Sequence, residues 1–296
     1  MDGTHLYQLI LEALVPGVTQ GCIFALVALG FVVVFSVSRL YHLMIGEFGM
    51  LGGMIAATLS AAKVPLVGSI AVGIAAAILL SAVIWYGLLS RPYARGASAM
   101  NLKLVTIALM LVSMGGAYLI WGTYYKELPY FTTGSLRLLG VSINPQAPWV
   151  LGILLVVVGG LKLLFDHTLL GKAFRASADS SVGAQIVGID HRAMAGYAFL
   201  LAGGLGAVAG IIVAPITMAY YGSGLYLTLH GLLAAMVGGP NRVEGAIIGG
   251  LVLGVVESLA GAFISSQFMT AIALGLFVVI LILRPQGILG TREHAV

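Results

Sequence analysis

Long apolar runs separated by short polar breaks dominate the chain. Nine of them, at about 12–37, 44–61, 66–89, 104–122, 148–165, 193–219, 224–239, 245–264 and 268–283, approach the roughly 20 residues that a helix needs to cross a hydrocarbon core. The pattern predicts an all-α, polytopic integral membrane protein whose 296 residues form a single transmembrane domain. The seventh run is short and carries His230, so a tilted or a broken helix is expected there. Connections are short apart from two, at about 123–147 and 166–192, and neither is long enough for an independent domain.

Composition agrees with this reading. Hydrophobic residues make up 60% of the chain, charged residues 8%, and the mean hydropathy is +1.09; soluble domains carry about 25% charged residues. Nine spans place the two ends on opposite sides, and the basic residues choose between the orientations. With the N-terminus outside, Arg39, Arg91, Arg95, Lys103, Lys162, Lys172, Arg175, Arg192, Arg242, Arg284 and Arg292 face the cytoplasm, whereas Lys63, Lys126 and Arg137 face outward. That asymmetry accounts for the formal charge of +4 without a nucleic-acid partner. No Lys or Arg precedes the first apolar run, so the first span is expected to be retained and not cleaved as a signal peptide. The single cysteine, Cys22, lies inside that span and excludes an intrachain disulfide or a cysteine-based metal cluster.

The stretch Gly171–Gly188 is a semi-polar island between membrane-grade runs. Asp166 or Thr168 can cap a helix start. Phe174, Ala178, Val182 and Ile186 then recur near helical spacing, leaving Lys172, Arg175, Asp179 and Gln185 for a polar side. The pattern predicts one short amphipathic helix on the cytoplasmic surface. Its basic face is weaker than that of a helix anchored in the lipid interface, so a partner outside the membrane is expected to grip it.

Ionisable groups at membrane depth are costly, and they mark transport pathways or tightly bonded core positions. Glu257 lies deep in the eighth run; a carboxyl bonded to neighbouring helices or to Ser258 and a wall of the translocation path are the two readings. Glu47 stands near Arg39 and His42, which allows an interfacial ion-pair cluster or a gate. His230 reads as a hydrogen-bonded core histidine or a pathway residue. Ser223 between two glycines, followed by His230, invites comparison with intramembrane serine proteases. Tyr221 occupies the position where the rhomboid pattern requires glycine, and Tyr220–Gly224 reads as a turn. No catalytic constellation and no metal site are expected.

Four stretches together resemble permeases of branched-chain amino-acid type ABC importers. The first is Gly171-Lys172-Ala173-Phe174-Arg175-Ala176 with Asp179, Ala184 and Gly188-Ile189-Asp190, which looks like the family's cytoplasmic coupling segment. The others are Gly46-Glu47-Phe48-Gly49-Met50-Leu51-Gly52, Val237-Gly238-Gly239-Pro240 through Gly245-Ala246-Ile247-Ile248-Gly249-Gly250, and Leu283-Arg284-Pro285-Gln286-Gly287-Ile288-Leu289-Gly290. They cover nearly the whole chain in order.

The resemblance implies a pore-forming subunit in the bacterial inner membrane. It would pair with a second, related permease, be driven by two cytoplasmic ATP-binding subunits, and be fed by a periplasmic solute-binding protein. No cofactor is expected on this chain; ATP and Mg are used by the partner, consistent with the lack of a Gly-x-x-x-x-Gly-Lys-Ser/Thr loop. Gly171, Lys172, Phe174, Arg175, Ala176, Asp179 and Gly188 would carry ATPase coupling, with Glu47, His230 and Glu257 as pathway candidates. Glycines four apart, at Gly49/Gly53, Gly206/Gly210, Gly245/Gly249 and Gly250/Gly254, suit close helix packing within the subunit or against the second permease. The aromatic-rich loop from Thr123 to Gly140 reads as an interfacial loop or a docking surface for the binding protein. Family members of the amino-acid type often carry Asn and His just before the Gly-Glu pair, whereas this chain reads Tyr41-His42-Leu43-Met44-Ile45. Branched-chain or other hydrophobic amino acids lead as the solute by the resemblance, and this departure leaves urea, short amides and aromatic or other organic acids open. An ATP-independent channel or secondary transporter is the rival reading.

Overall fold

Apolar residues that would cost free energy in water gather here into long helices, because in lipid the backbone must satisfy its own hydrogen bonds. The computed structural model describes residues 3–132, 134, 136–138, 141–284 and 286–290. Thr133, Pro285 of the closing motif and the basic residue Arg292 lie outside the described residues. Helices α1 (Gly3–Ser38), α2 (Ile45–Ala61), α3 (Leu66–Ile84), α4 (Ser90–Ala94) and α5 (Ala99–Trp121) precede a small antiparallel hairpin, β1 (Leu136–Leu138) and β2 (Val141–Ile143). There follow α6 (Ala147–His167), α7 (Leu169–Asp179), α8 (Ser181–Ile186), α9 (His191–Thr217), α10 (Ser223–Gly238), α11 (Val243–Phe263) and α12 (Met269–Leu283).

Every apolar run is helical, but the helices differ in reach. Among the described residues seven are long and apolar enough to cross a membrane, while Ile45–Ala61 and Ser223–Gly238 are shorter. At 17 and 16 residues, α2 and α10 span only about 25 Å. The seventh run is thus short and unbroken. The two short helices lie against each other in the interior, α2 also against α9 and α10 also against α1 and α11, where length is set by neighbours and not by the bilayer. The third span reaches further than its apolar run. α3 continues through a π-helical turn, Trp85–Leu89, into α4, and Trp85 is fully buried there with Phe199 at 4.5 Å and Tyr93 at 5.5 Å between ring centroids.

The core is built around α1, whose residues from Cys22 to Leu29 are buried without a break. It packs on α9, α10 and α11, and α2 packs on α3, α9 and α10. α5, α6 and α12 present mostly exposed leucine, valine and isoleucine, the composition expected of a lipid-facing rim. The glycine series has its explanation here. A side chain at Gly254 would strike the backbone of Gly17 and Gly21 on α1; one at Gly250 would strike Ala25, and one at Gly249 would strike Ala234 and Gly238 on α10. Gly210 of α9 lies in the same way on Gly49 of α2. The Gly245–Gly254 face is therefore covered from within the chain and is not available to a second permease.

Two irregular segments meet the same backbone requirement with side chains and tails. Between α1 and α2, residues 39–44 are non-helical, with Leu40, His42 and Met44 buried. Thr228 of α10 serves this break, accepting the Gly46 N–H at 3.1 Å and donating to the Leu43 carbonyl at 3.4 Å. The end of α10 is capped by the chain's closing motif. Ile288 N–H donates to Val237 O at 2.8 Å and Leu289 N–H to Gly238 O at 3.0 Å. Gly239 and Gly287, at φ +114° and +81°, allow the two strands of backbone to touch. Two motifs that lie far apart in sequence are one structural unit.

Replacing Gly210 by Leu should destabilise the protein by at least about 1–3 kcal/mol, because the added side chain meets backbone and not a movable side chain. Gly275→Leu, at an exposed position with open space around it, should be tolerated. Thermal unfolding of the two variants in detergent makes the comparison; equal stability would count against the packing described.

Candidate functional site

The polar island folds as an elbow. Thr168 leaves α6 in an extended conformation; its hydroxyl donates to Leu164 O at 2.6 Å and accepts the Gly171 N–H at 2.9 Å. One side chain therefore ends α6 and caps α7. Asp166 caps nothing. It lies inside α6 and pairs with Arg175 at 3.2 Å, while the same guanidinium donates to Phe165 O at 2.6 Å. A side chain at Gly171 would collide with Leu164 O and the Phe165 backbone, and Phe174 is buried edge-on to Phe165 at 5.7 Å. Gly171, Phe174 and Arg175 thus fasten α7 to the end of α6. Of the other coupling candidates Lys172 and Asp179 are exposed, and Ala176 is half-buried.

The single amphipathic helix expected across this stretch is two helices. Ser180 adopts extended backbone, and its hydroxyl accepts the Gly183 N–H at 3.0 Å to start α8. Serine competes with the helix by bonding the backbone itself, which is why the apolar spacing does not carry through. Gly188, at φ +84°, closes α8 with its N–H on Gln185 O at 3.0 Å and the Ile189 N–H on Ala184 O at 2.9 Å. Asp190 then caps α9, accepting the N–H groups of Arg192 and Ala193. Because the axis turns at Ser180, the predicted stripe divides. Phe174 faces the bundle, but Val182 and Ile186 are 67% and 80% exposed, and Val187 beside them is 70% exposed.

The elbow is tied to the core across a groove of about 290 Å³ lined in part by Val32, Phe174, Ala178 and Asn241. Arg39, at the end of α1, reaches Ala178 O of α7 at 3.5 Å and Asn241 Oδ1 of the α10–α11 connection at 3.4 Å. The expected ion-pair cluster of Arg39 with Glu47 is not formed. Glu47, in the first turn of α2, is fully buried against the first turn of α10 at Gly224, and neither carboxyl oxygen has a hydrogen-bond partner. His42 is likewise buried with both ring nitrogens unpartnered, its ring 4.3 Å from that of Phe199. Nothing in the local sequence marks these two as unpaired, since the break before α2 and the glycine at 224 act only in three dimensions.

His230 and Glu257, separate candidates in the sequence, form one buried pair. His230 Nε2 and Glu257 Oε1 are 2.9 Å apart, with side chains 3% and 4% exposed. His230 Nδ1 lies 2.8 Å from the Tyr226 carbonyl, which can only accept, so Nδ1 carries a proton. The pair therefore holds one shared proton between Nε2 and the carboxyl. Phe24 stacks on the imidazole at 4.7 Å, and the Tyr226 ring packs on it at 4.0 Å. Ser258 does not serve Glu257; it donates to Ala13 O of α1 at 2.6 Å. Ser223 donates to Tyr220 O at 2.8 Å, and with His230 engaged by Glu257 no serine–histidine dyad is formed.

The end of the bundle remote from α7 is open. Lys126 and Ala219 exchange backbone hydrogen bonds at 2.8 and 2.9 Å, so the long loop lies over the α9–α10 turn. A cavity of about 630 Å³ beside this contact is lined by Ser60, Glu127, Tyr130, Pro215 and Met218 among others, and a second of about 380 Å³ lies beyond Ile216.

The profile of the family described as branched-chain amino acid transport system, permease component, matches residues 13–284. The high-affinity branched-chain amino acid transport system permease protein BraD of Pseudomonas aeruginosa is 28% identical over 298 residues, 96% of each chain. LivH of Escherichia coli, a permease protein of the same description, is 25% identical over 304 residues and also covers 96% of each chain. The ribose import permease protein RbsC of Haemophilus influenzae is 25% identical over 286 residues, covering 93% of this chain and 84% of that one.

His230→Ala should cost about 3–5 kcal/mol, because it leaves the Glu257 carboxyl buried without its partner. The double replacement His230→Leu with Glu257→Met should recover most of that loss. Thermal unfolding of the purified variants measures both; a double variant no more stable than His230→Ala would contradict a coupled pair.

Proposed function

The chain belongs to the branched-chain amino acid transport permease family, and from that membership and the exposed apolar elbow we propose that it is a pore-forming subunit of an ATP-driven importer of small aliphatic amino acids. The observation that carries the reading is the elbow. Val182 and Ile186 on the six-residue α8, and Val187 directly after it, stand exposed, while α8 is held by α7 on one side and α9 on the other. Exposed apolar side chains at the polar end of a membrane protein suit a protein groove better than water.

In this proposal α8 seats in a cytoplasmic ATP-binding subunit. Motion of that subunit passes into α6 through the Thr168, Gly171 and Arg175 contacts, and into α1 and the α10–α11 connection through Arg39. Such coupling requires two arrangements of a rigid element, and a stapled elbow supplies the rigidity. Orientation follows from charge. Arg39, Lys172, Arg175, Arg192 and Arg242 gather at the elbow end, whereas Lys63 and Lys126 lie at the other, which supports a cytoplasmic elbow with the N-terminus outside. A second, related permease completes the pore, and a solute-binding protein delivers its cargo to the open end over the loop that covers Ala219.

Val182→Ser combined with Ile186→Ser should reduce transport and transport-coupled ATP hydrolysis by about tenfold while leaving the membrane-inserted protein folded. Unchanged coupling in the assembled complex, or full uptake by the isolated chain without any ATPase, would overturn the assignment. For orientation, cysteines placed at the exposed positions Thr123 and Gln185 in a Cys22→Ser background should react with an impermeant thiol reagent from opposite sides. Labelling of Gln185→Cys in intact cells would reverse the topology.

A further inference from the structure

The smaller cavity at the open end has a chemical bias that the mechanism above does not use. Its volume, about 380 Å³, lies within the range of roughly 300–1,000 Å³ typical of small-molecule sites. One face of α1 supplies Glu12, Pro16, Thr19 and Gln20, spaced at helical intervals on a common side. The polar atoms that this face leaves uncommitted are mostly acceptors. Thr19 donates its hydroxyl proton to Val15 O at 2.9 Å, so its oxygen can only accept. Gln20 gives one Nε2 hydrogen to Tyr226 Oη at 2.8 Å, which leaves Oε1 to accept beside the second N–H. Pro16 has no N–H for the Glu12 carbonyl four residues earlier, so that main-chain oxygen loses its helical donor. Glu12 also lines the cavity with its carboxylate, and among the described residues no cationic side chain does so.

Opposite this face is Asn144, whose Oδ1 accepts the Gln146 N–H at 2.9 Å and whose amide N–H groups therefore remain as donors. Val15 and Ile216 supply aliphatic wall. An ammonium group has three donors and no acceptor. A carboxylate needs donors.

We propose that this cavity is a recognition site for the ammonium group of a small aliphatic α-amino acid, with Asn144 receiving its carboxylate. The proposal rests on the importer reading above and assigns residues of this chain to recognition of its solute. Organic acids without an amine meet the negative charge of Glu12 and a wall richer in acceptors, and urea or simple amides, being neutral, gain no charge pairing from Glu12. The site is a station at the mouth of the path; Gln20 in its wall bonds Tyr226, whose ring packs on His230 of the buried pair.

The test uses the assembled transporter in lipid nanodiscs, without its external binding protein, titrated with L-leucine and with 4-methylpentanoate, which keeps the carboxylate and the branched chain but lacks the amine. Leucine should bind saturably. Glu12→Gln should weaken that binding by about tenfold. Pro16→Ala, which keeps the carboxylate and returns an N–H to the Glu12 carbonyl, should weaken it as well. 4-Methylpentanoate should bind far less tightly and be indifferent to either change. Absent leucine binding, or leucine affinity unmoved by both substitutions, overturns the site. Uptake of leucine by the complete wild-type transporter is measured in parallel. Normal uptake with no such binding sinks this inference and leaves the importer reading intact, whereas absent leucine uptake sinks the solute class on which it rests.

Discussion

Close approach of backbones at glycine is the contact on which the remaining architecture depends. In a bilayer the gain from removing apolar groups from water is already made, and helices hold together through packing and a few hydrogen bonds. Gly17 and Gly21 of α1 against Gly254 of α11, and Gly49 of α2 against Gly210 of α9, bring main chains together where any side chain would hold them apart. This draws α1, α2, α9, α10 and α11 into a dense centre and leaves α5, α6 and α12 as its lipid-facing rim. The buried His230–Glu257 pair is possible only within that dense centre, because the same packing excludes the water that would otherwise solvate it.

The centre is also where the helices are short. α2 and α10 do not need the full bilayer thickness because irregular backbone next to them is served from inside the protein. Thr228 bonds both flanks of the break before α2, and the tail at Ile288 and Leu289 caps the end of α10. A path through the molecule that has to open and close benefits from such breaks, since a discontinuous helix moves in parts. Glu47 and His42 sit beside the break with their polar atoms unpartnered, which is costly in this arrangement and less so in one that admits water or a partner.

The elbow illustrates a division between holding and docking. Gly171 and Phe174 face inward and, with the exposed Arg175 bonded to Asp166 and the Phe165 carbonyl, fix α7 on α6, whereas Val182 and Ile186 of α8 and the following Val187 face outward. A family-like motif therefore contains residues of both kinds. Its glycines act through geometry, Gly171 by permitting contact and Gly188 by ending a helix at positive φ, and neither needs to touch a partner for its replacement to impair transport.

Hydrophobic periodicity by itself determined where the helices lie, that the chain spans a membrane several times, and that residues 166–192 form a distinct polar unit. Those features follow from local composition, because a run of leucine, valine and alanine is helical and lipid-soluble wherever it is placed. Resemblance of motifs carried the transport class, since it rests on the order of residues along nearly the whole chain. What local patterns did not hold is any relation between distant positions. The helical spacing of Phe174, Ala178, Val182 and Ile186 gave no sign that the Ser180 hydroxyl would break the axis, because serine tolerates either outcome and the neighbouring helices decide. Glycines four apart marked close packing without naming the partner, and only the fold assigned Gly250 and Gly254 to α1 instead of a second subunit. His230 and Glu257, 27 residues apart, became one proton-sharing pair because α10 and α11 turn the same faces inward. Glu47 lost its expected arginine because Arg39 is drawn to α7 and Asn241, a choice made by distance in three dimensions and not by spacing in one.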